Sequence, residues 1–154
     1  FPDGMPAWAN EGIASSYDDR RHRETVQRAL ERSVSTGRWL DIESVLRSPI
    51  RTAEDYAVAV VLTRMLLQRG SRATFIDFLA DGATSDIDRA LADHYKLRTQ
   101  AELQQSWQEF ARRAIRTGEL ARPLPLSSPR RLTRSQRESY SAVAVRHSHK
   151  TNRL

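Results

Sequence analysis

The longest apolar stretch of the chain centres on Tyr56-Ala57-Val58-Ala59-Val60-Val61-Leu62 and resumes at Met65-Leu66-Leu67. Apolar residues cover nearly every side of a helix drawn through it, the mark of an element that others pack around. Thr52-Ala53-Glu54-Asp55 offers an N-cap with acids in the first turn, and Arg69-Gly70 offers a stop. Valine is common in strands, but a run of this length with a cap and a glycine stop favours helix.

Shorter helices are predicted on either side. An opening helix covers about residues 7 to 17. Asp18-Asp19 can cap a second, from Arg21 to Thr36, with Val26, Ala29, Leu30 and Val34 at helical spacing and Gly37 as its stop. Trp39-Leu40-Asp41-Ile42-Glu43 leads into a short helical turn ending near Leu46, and Ser48-Pro49 breaks the chain. After the central helix, Ser71 caps a helix carrying Phe75, Ile76, Phe78 and Leu79 that stops at Gly82. Thr84 or Ser85 caps the next, with Ile87, Ala90, Leu91 and Tyr95. Thr99 and Glu102 have capping-box spacing, opening a helix with Leu103, Trp107, Phe110, Ala111 and Ala114 inward and Thr117-Gly118 at its end. No segment alternates at the period of a strand, so the expected fold class is all-α.

The pattern fails after the last helix. Pro123, Pro125, Pro129 and Ser127-Ser128 disfavour regular structure, so residues 1–118 read as one helical domain and 119–154 as a disordered tail. Charge divides at nearly the same place. Residues 1–116 carry 17 basic and 17 acidic side chains, whereas 117–154 carry eight basic and two acidic, the whole of the net +6. The body therefore has no electrostatic bias toward nucleic acid, and the tail lacks interleaved aromatics beyond Tyr140, which disfavours sequence-specific recognition. There is no cysteine, so any metal would need His, Asp or Glu ligands. No apolar run approaches the roughly 20 residues needed to span a bilayer; the longest, Ala57 to Leu67, is interrupted by Arg64 and reads as a buried helix. The sequence opens at Phe1 rather than Met, so its natural start is expected upstream. Compartment and oligomeric state are not set by these residues.

The candidate chemistry lies in Pro6-Ala7-Trp8-Ala9-Asn10-Glu11-Gly12-Ile13-Ala14. On a helix, positions 7, 8, 11, 14 and 15 share a face, which would place Glu11 on the buried stripe beside Trp8. A buried carboxylate needs a cation, a metal or a proton, and the ordinary reading is that Glu11 caps a loop or pairs with one of the many arginines. Trp8-Ala9-Asn10-Glu11-Gly12-Ile13-Ala14 also resembles the segment that carries the third zinc ligand in gluzincin metallopeptidases, where the usual form is Trp-Leu-Asn-Glu-Gly-Phe/Leu-Ala. The likeness is greatest to bacterial peptidase MA-like domains and spans residues 5 to 113. It implies that Glu11 is a zinc ligand, with Asn10 orienting it and a peptide or protein as substrate. Tyr56 stands where related aminopeptidases place a tyrosine that donates to the oxyanion, although their following Glu-Lys-Gly is absent. The family's His-Glu-x-x-His is also absent. Of the four histidines, His22 falls on a charged helical face, His94 near a helix end and His147 and His149 in the tail.

The resemblance implies the C-terminal helical lobe of a zinc metallopeptidase whose two histidine ligands are expected upstream of Phe1. The competing expectation is a metal-free relative, a non-catalytic helical interaction module whose basic tail contacts anionic partners. Trp8, Trp39 and Trp107 are expected in the core, and Asp86, Asp88 and Asp93 on a solvated face.

Overall fold

A computed structural model describes residues 5–15, 20–84 and 86–122, and among these it is entirely helical. The helices are α1 (Ala7–Ala14), α2 (Arg20–Thr36), α3 (Ile42–Arg47), α4 (Ala53–Arg69), α5 (Arg72–Thr84), α6 (Ile87–Tyr95) and α7 (Gln100–Thr117), followed by a 3₁₀ turn at Glu119–Ala121. The Asp18-Asp19 cap and the chain beyond Arg122, where the disordered tail is expected, lie outside the described residues.

Helix α4 is the centre of the body. Every residue from Ala57 to Leu66 is buried. Its start is secured by a reciprocal cap: Thr52 Oγ1 accepts from the Asp55 amide at 3.0 Å, and Asp55 Oδ2 accepts from the Thr52 amide at 3.0 Å. Two otherwise orphaned amides at the start of a long helix are thereby satisfied.

Helices α1, α2, α3, α5 and α7 all contact α4, and α6 packs chiefly on α5. Helix α2 buries Val26, Ala29, Leu30 and Ser33, so its inward stripe ends at Ser33 and leaves Val34 exposed. Trp8 reaches from α1 to Phe75 and Phe78 of α5, with ring centroids 6.1 and 6.4 Å apart, and Phe78 meets Tyr95 edge-on at 5.3 Å. At the other end, Trp39 stands edge-on to Trp107 at 5.5 Å with the Arg112 guanidinium 4.7 Å above it. The segment before α3 is tied to α7 by Gln104, whose Nε2 donates to the Leu40 carbonyl and whose Oε1 accepts from the Ile42 amide, both at 3.0 Å.

The expected stops and caps are corrected in three places. Helix α5 runs through Gly82 to Thr84, because a glycine costs a helix only about 1 kcal/mol and the packing of α5 on α6 outweighs it. The cap of α6 is Asp86, whose Oδ1 accepts from the Asp88 amide at 3.0 Å, rather than Thr84 or Ser85. The folded body also continues past Gly118: Leu120 in the 3₁₀ turn is buried, and Arg64 of α4 holds the turn from inside. The Arg64 guanidinium donates to the carbonyls of Glu119 at 3.3 Å and Arg122 at 2.6 Å.

Candidate functional site

The resemblance segment forms α1, and its position follows from small residues. Trp8, Ala9 and Gly12 are its buried positions, with Ser15 just beyond them. Gly12 lies directly on α4. A methyl group added there would overlap the Thr63 hydroxyl and sit 2.6 Å from its Cβ and 2.8 Å from the Ala59 carbonyl oxygen. The backbones of α1 and α4 thus approach more closely than any side chain at position 12 permits. Ser15 Oγ closes the helix by donating to the Gly12 carbonyl at 2.5 Å.

This packing corrects the face assigned to Glu11. The buried stripe runs through 8, 9, 12 and 15, not through 7, 8, 11 and 14; Ala7 and Ala14 are exposed. A glycine can approach a neighbouring helix more closely than alanine, and that close approach sets the rotation of α1. Glu11 sits at the rim, half-buried, and Asn10 beside it is exposed. No ion pair among the described residues involves Glu11, so the expected arginine partner is not found there. Both residues that the resemblance implies for a metal, Glu11 and Asn10, thus lie on the part of α1 turned away from its densest packing.

Tyr56 stands in the first turn of α4, half-buried, its amide donating to the Thr52 carbonyl at 3.1 Å. It lies one turn before Ala59 on the stripe of α4 that receives Gly12. The α1–α4 crossing therefore brings the segment bearing Glu11 to within one or two turns of Tyr56.

Of the histidines, His22 and His94 fall among the described residues, and neither is grouped with Glu11 as a metal site. His22 is exposed on α2. His94 Nε2 lies 2.7 Å from Asp81 Oδ2 and its ring meets Phe78 edge-on, so it links α6 to α5. Among the described residues no three His, Asp or Glu side chains are grouped as a metal site. A zinc centre of the gluzincin kind takes three protein ligands and one open position. Among the described residues no such set of three comes together.

Two polar features were not foreseen from the residues. Arg64 reads as an interruption in an apolar run, yet it is 3% exposed and bonded to backbone carbonyls, and burial lowers its pKa more than the nearby Glu119 raises it. Three arginines also gather at one end of α4 and α7, around a cavity of about 570 Å³. Arg69 and Arg116 occupy last turns, a sequence-level hint, but their convergence depends on the crossing of two helices thirty residues apart in the chain. No family model matches the chain, and neither does any curated protein or solved structure.

Proposed function

We propose that the chain is the C-terminal helical portion of a gluzincin-like zinc metallopeptidase, with Glu11 as the third metal ligand. The observation that supports this reading is the setting of Glu11. Helix α1 is held on α4 through Gly12 and on α5 through Trp8, while Glu11 remains at the rim with no cation paired to it among the described residues. A carboxylate held on a rigid helix and left without a partner suits a ligand set completed from elsewhere. The two histidines would come from residues preceding Phe1. Zinc bound there would supply a water activated at neutral pH for hydrolysis of a peptide bond.

Within this chain, Glu11 would hold the metal, Asn10 would orient the Glu11 carboxylate, and the Tyr56 hydroxyl would donate to the oxygen of the scissile carbonyl as negative charge develops on it. A donor of that kind is worth about 3 kcal/mol of transition-state stabilisation. The alternative is a non-catalytic helical interaction module, and the specific observation favouring it is the absence of His-Glu-x-x-His from the 154 residues.

The test is made on the full-length protein. Zinc content and peptide hydrolysis are measured for the natural protein and for Glu11→Gln, with circular dichroism to confirm folding. The expected result is a folded variant that has lost both zinc and activity. Unchanged zinc content in Glu11→Gln, or a full-length sequence with no histidine pair, would leave the interaction module as the reading.

A further inference from the structure

We infer that the groove between the C-terminal halves of α4 and α7 binds a small organic phosphate. No residue lining it belongs to α1, so the inference is independent of the role of Glu11. The groove is large enough for a small ligand at about 570 Å³, and Arg69, Arg113 and Arg116 line it. Helix-terminal arginines commonly offset the helix dipole, which accounts for Arg69 and Arg116 taken singly. It accounts neither for Arg113, a turn earlier, nor for three guanidiniums around one concavity.

Among the described residues no carboxylate neutralises them, in contrast to three arginines elsewhere on the surface. Arg20, Arg47 and Arg89 each pair with a carboxylate four residues away on their own helix. Among the described residues, none of the three groove arginines forms an ion pair. Two are held instead by neutral groups: Arg69 donates to Ser106 Oγ at 3.4 Å across the groove, and the Arg113 guanidinium lies 4.9 Å from the centre of the Phe110 ring. The one carboxylate in the lining, Glu109, accepts from Gln105 at 3.1 Å. The lining carries three cations and one anion, and a second carboxylate, Glu119, accepts from Gln68 at its edge, so the groove keeps a net positive charge that three guanidinium forks can direct at a phosphate. The buried Met65 and Phe110 supply an apolar floor, so the ligand carries an apolar or aromatic body beside its phosphate.

Calorimetric titration of the 154-residue chain with phenyl phosphate, inorganic phosphate, benzoate and phosphatidic-acid vesicles tests this. Phenyl phosphate is expected to bind with one-to-one saturation, more tightly than inorganic phosphate or benzoate. Arg69→Gln and Arg113→Gln should each weaken it about tenfold with unchanged circular dichroism, while Arg28→Gln on α2 leaves it unaltered. Arg116→Gln replaces Arg113→Gln should loss of the stack on Phe110 disturb folding. Binding confined to vesicles and lost in the same variants supports the site, with a lipid headgroup as the phosphate source. Binding that survives the groove substitutions, or no saturable binding in any arm, overturns the inference. Equal binding of inorganic and phenyl phosphate overturns the organic ligand.

Discussion

Tyr95 is 3% exposed, and its hydroxyl has no hydrogen-bond partner among the described residues. Burial disfavours the phenolate and raises the pKa well above its ordinary value of 10. Above about pH 10 the unfolded chain releases this proton while the folded chain keeps it. The unfolded state then binds fewer protons, so stability that is full below pH 10 declines as pH rises, by up to about 1.4 kcal/mol per pH unit. Tyr95→Phe is expected to flatten that alkaline slope and to leave stability at pH 7 equal or slightly higher, since it removes an unsatisfied polar atom. Urea unfolding at pH 7, 10 and 11 measures both effects, and an alkaline slope identical in the two proteins would refute the assignment. At this scale the sequence was a partial guide. Tyr95 was legible as an inward residue of a helix, because apolar spacing reports the face. Its isolated hydroxyl was not, because satisfaction of a polar atom depends on neighbours brought in by other helices.

Among the elements, the crossing of α1 over α4 is the most constrained. Gly12→Ala is expected to destabilise the protein by about 1–3 kcal/mol, since the new methyl meets Thr63 and the Ala59 carbonyl rather than the end of a flexible side chain. Adding Thr63→Ala removes the hydroxyl but leaves the Cβ at 2.6 Å and the carbonyl at 2.8 Å, so it should restore only part of the loss. Urea midpoints of the two variants decide the matter, and a neutral Gly12→Ala would show that α1 is not seated as described. The caps of α4 and α7 and all five inward residues of α7 were readable in advance, because capping and amphipathic spacing act over three or four residues. The rotation of α1 was not. Counting from Trp8 and Ala14 selects a face through Glu11, and only the contact of Gly12 with α4 shows that the buried stripe lies one position further on.

For the body as a whole, the core is chiefly aromatic and aliphatic, with Arg64 the one buried charge among the described residues. Trp8, Phe75, Phe78 and Tyr95 fill one end, and Trp39 and Trp107 join at the other. Folding of the 154-residue chain is therefore expected to be indifferent to metal: a thermal melt with and without EDTA should give the same midpoint. A drop on chelation would place a structural metal within these residues and displace Glu11 from its proposed role. The all-α class was legible because the turns, caps and apolar periods agree along the body. The end of the body was harder to read. Leu120 alone carries no periodic signal, and its burial follows from Arg64, fifty-five residues earlier, holding the Glu119 carbonyl.

The absence of a side chain at Gly12 also joins two free energies. Since α1 has no room to slide on α4, a ligand held by Glu11 as proposed would be linked to the cooperative unfolding of the body and not to a local ordering step. Occupancy at Glu11 would register as a rise in the global melting temperature that grows with the logarithm of ligand concentration. Conversely, each substitution that loosens the core enough to populate the unfolded chain would lower the apparent affinity of the proposed site at Glu11 in proportion to the folded fraction, even from the far side of α4.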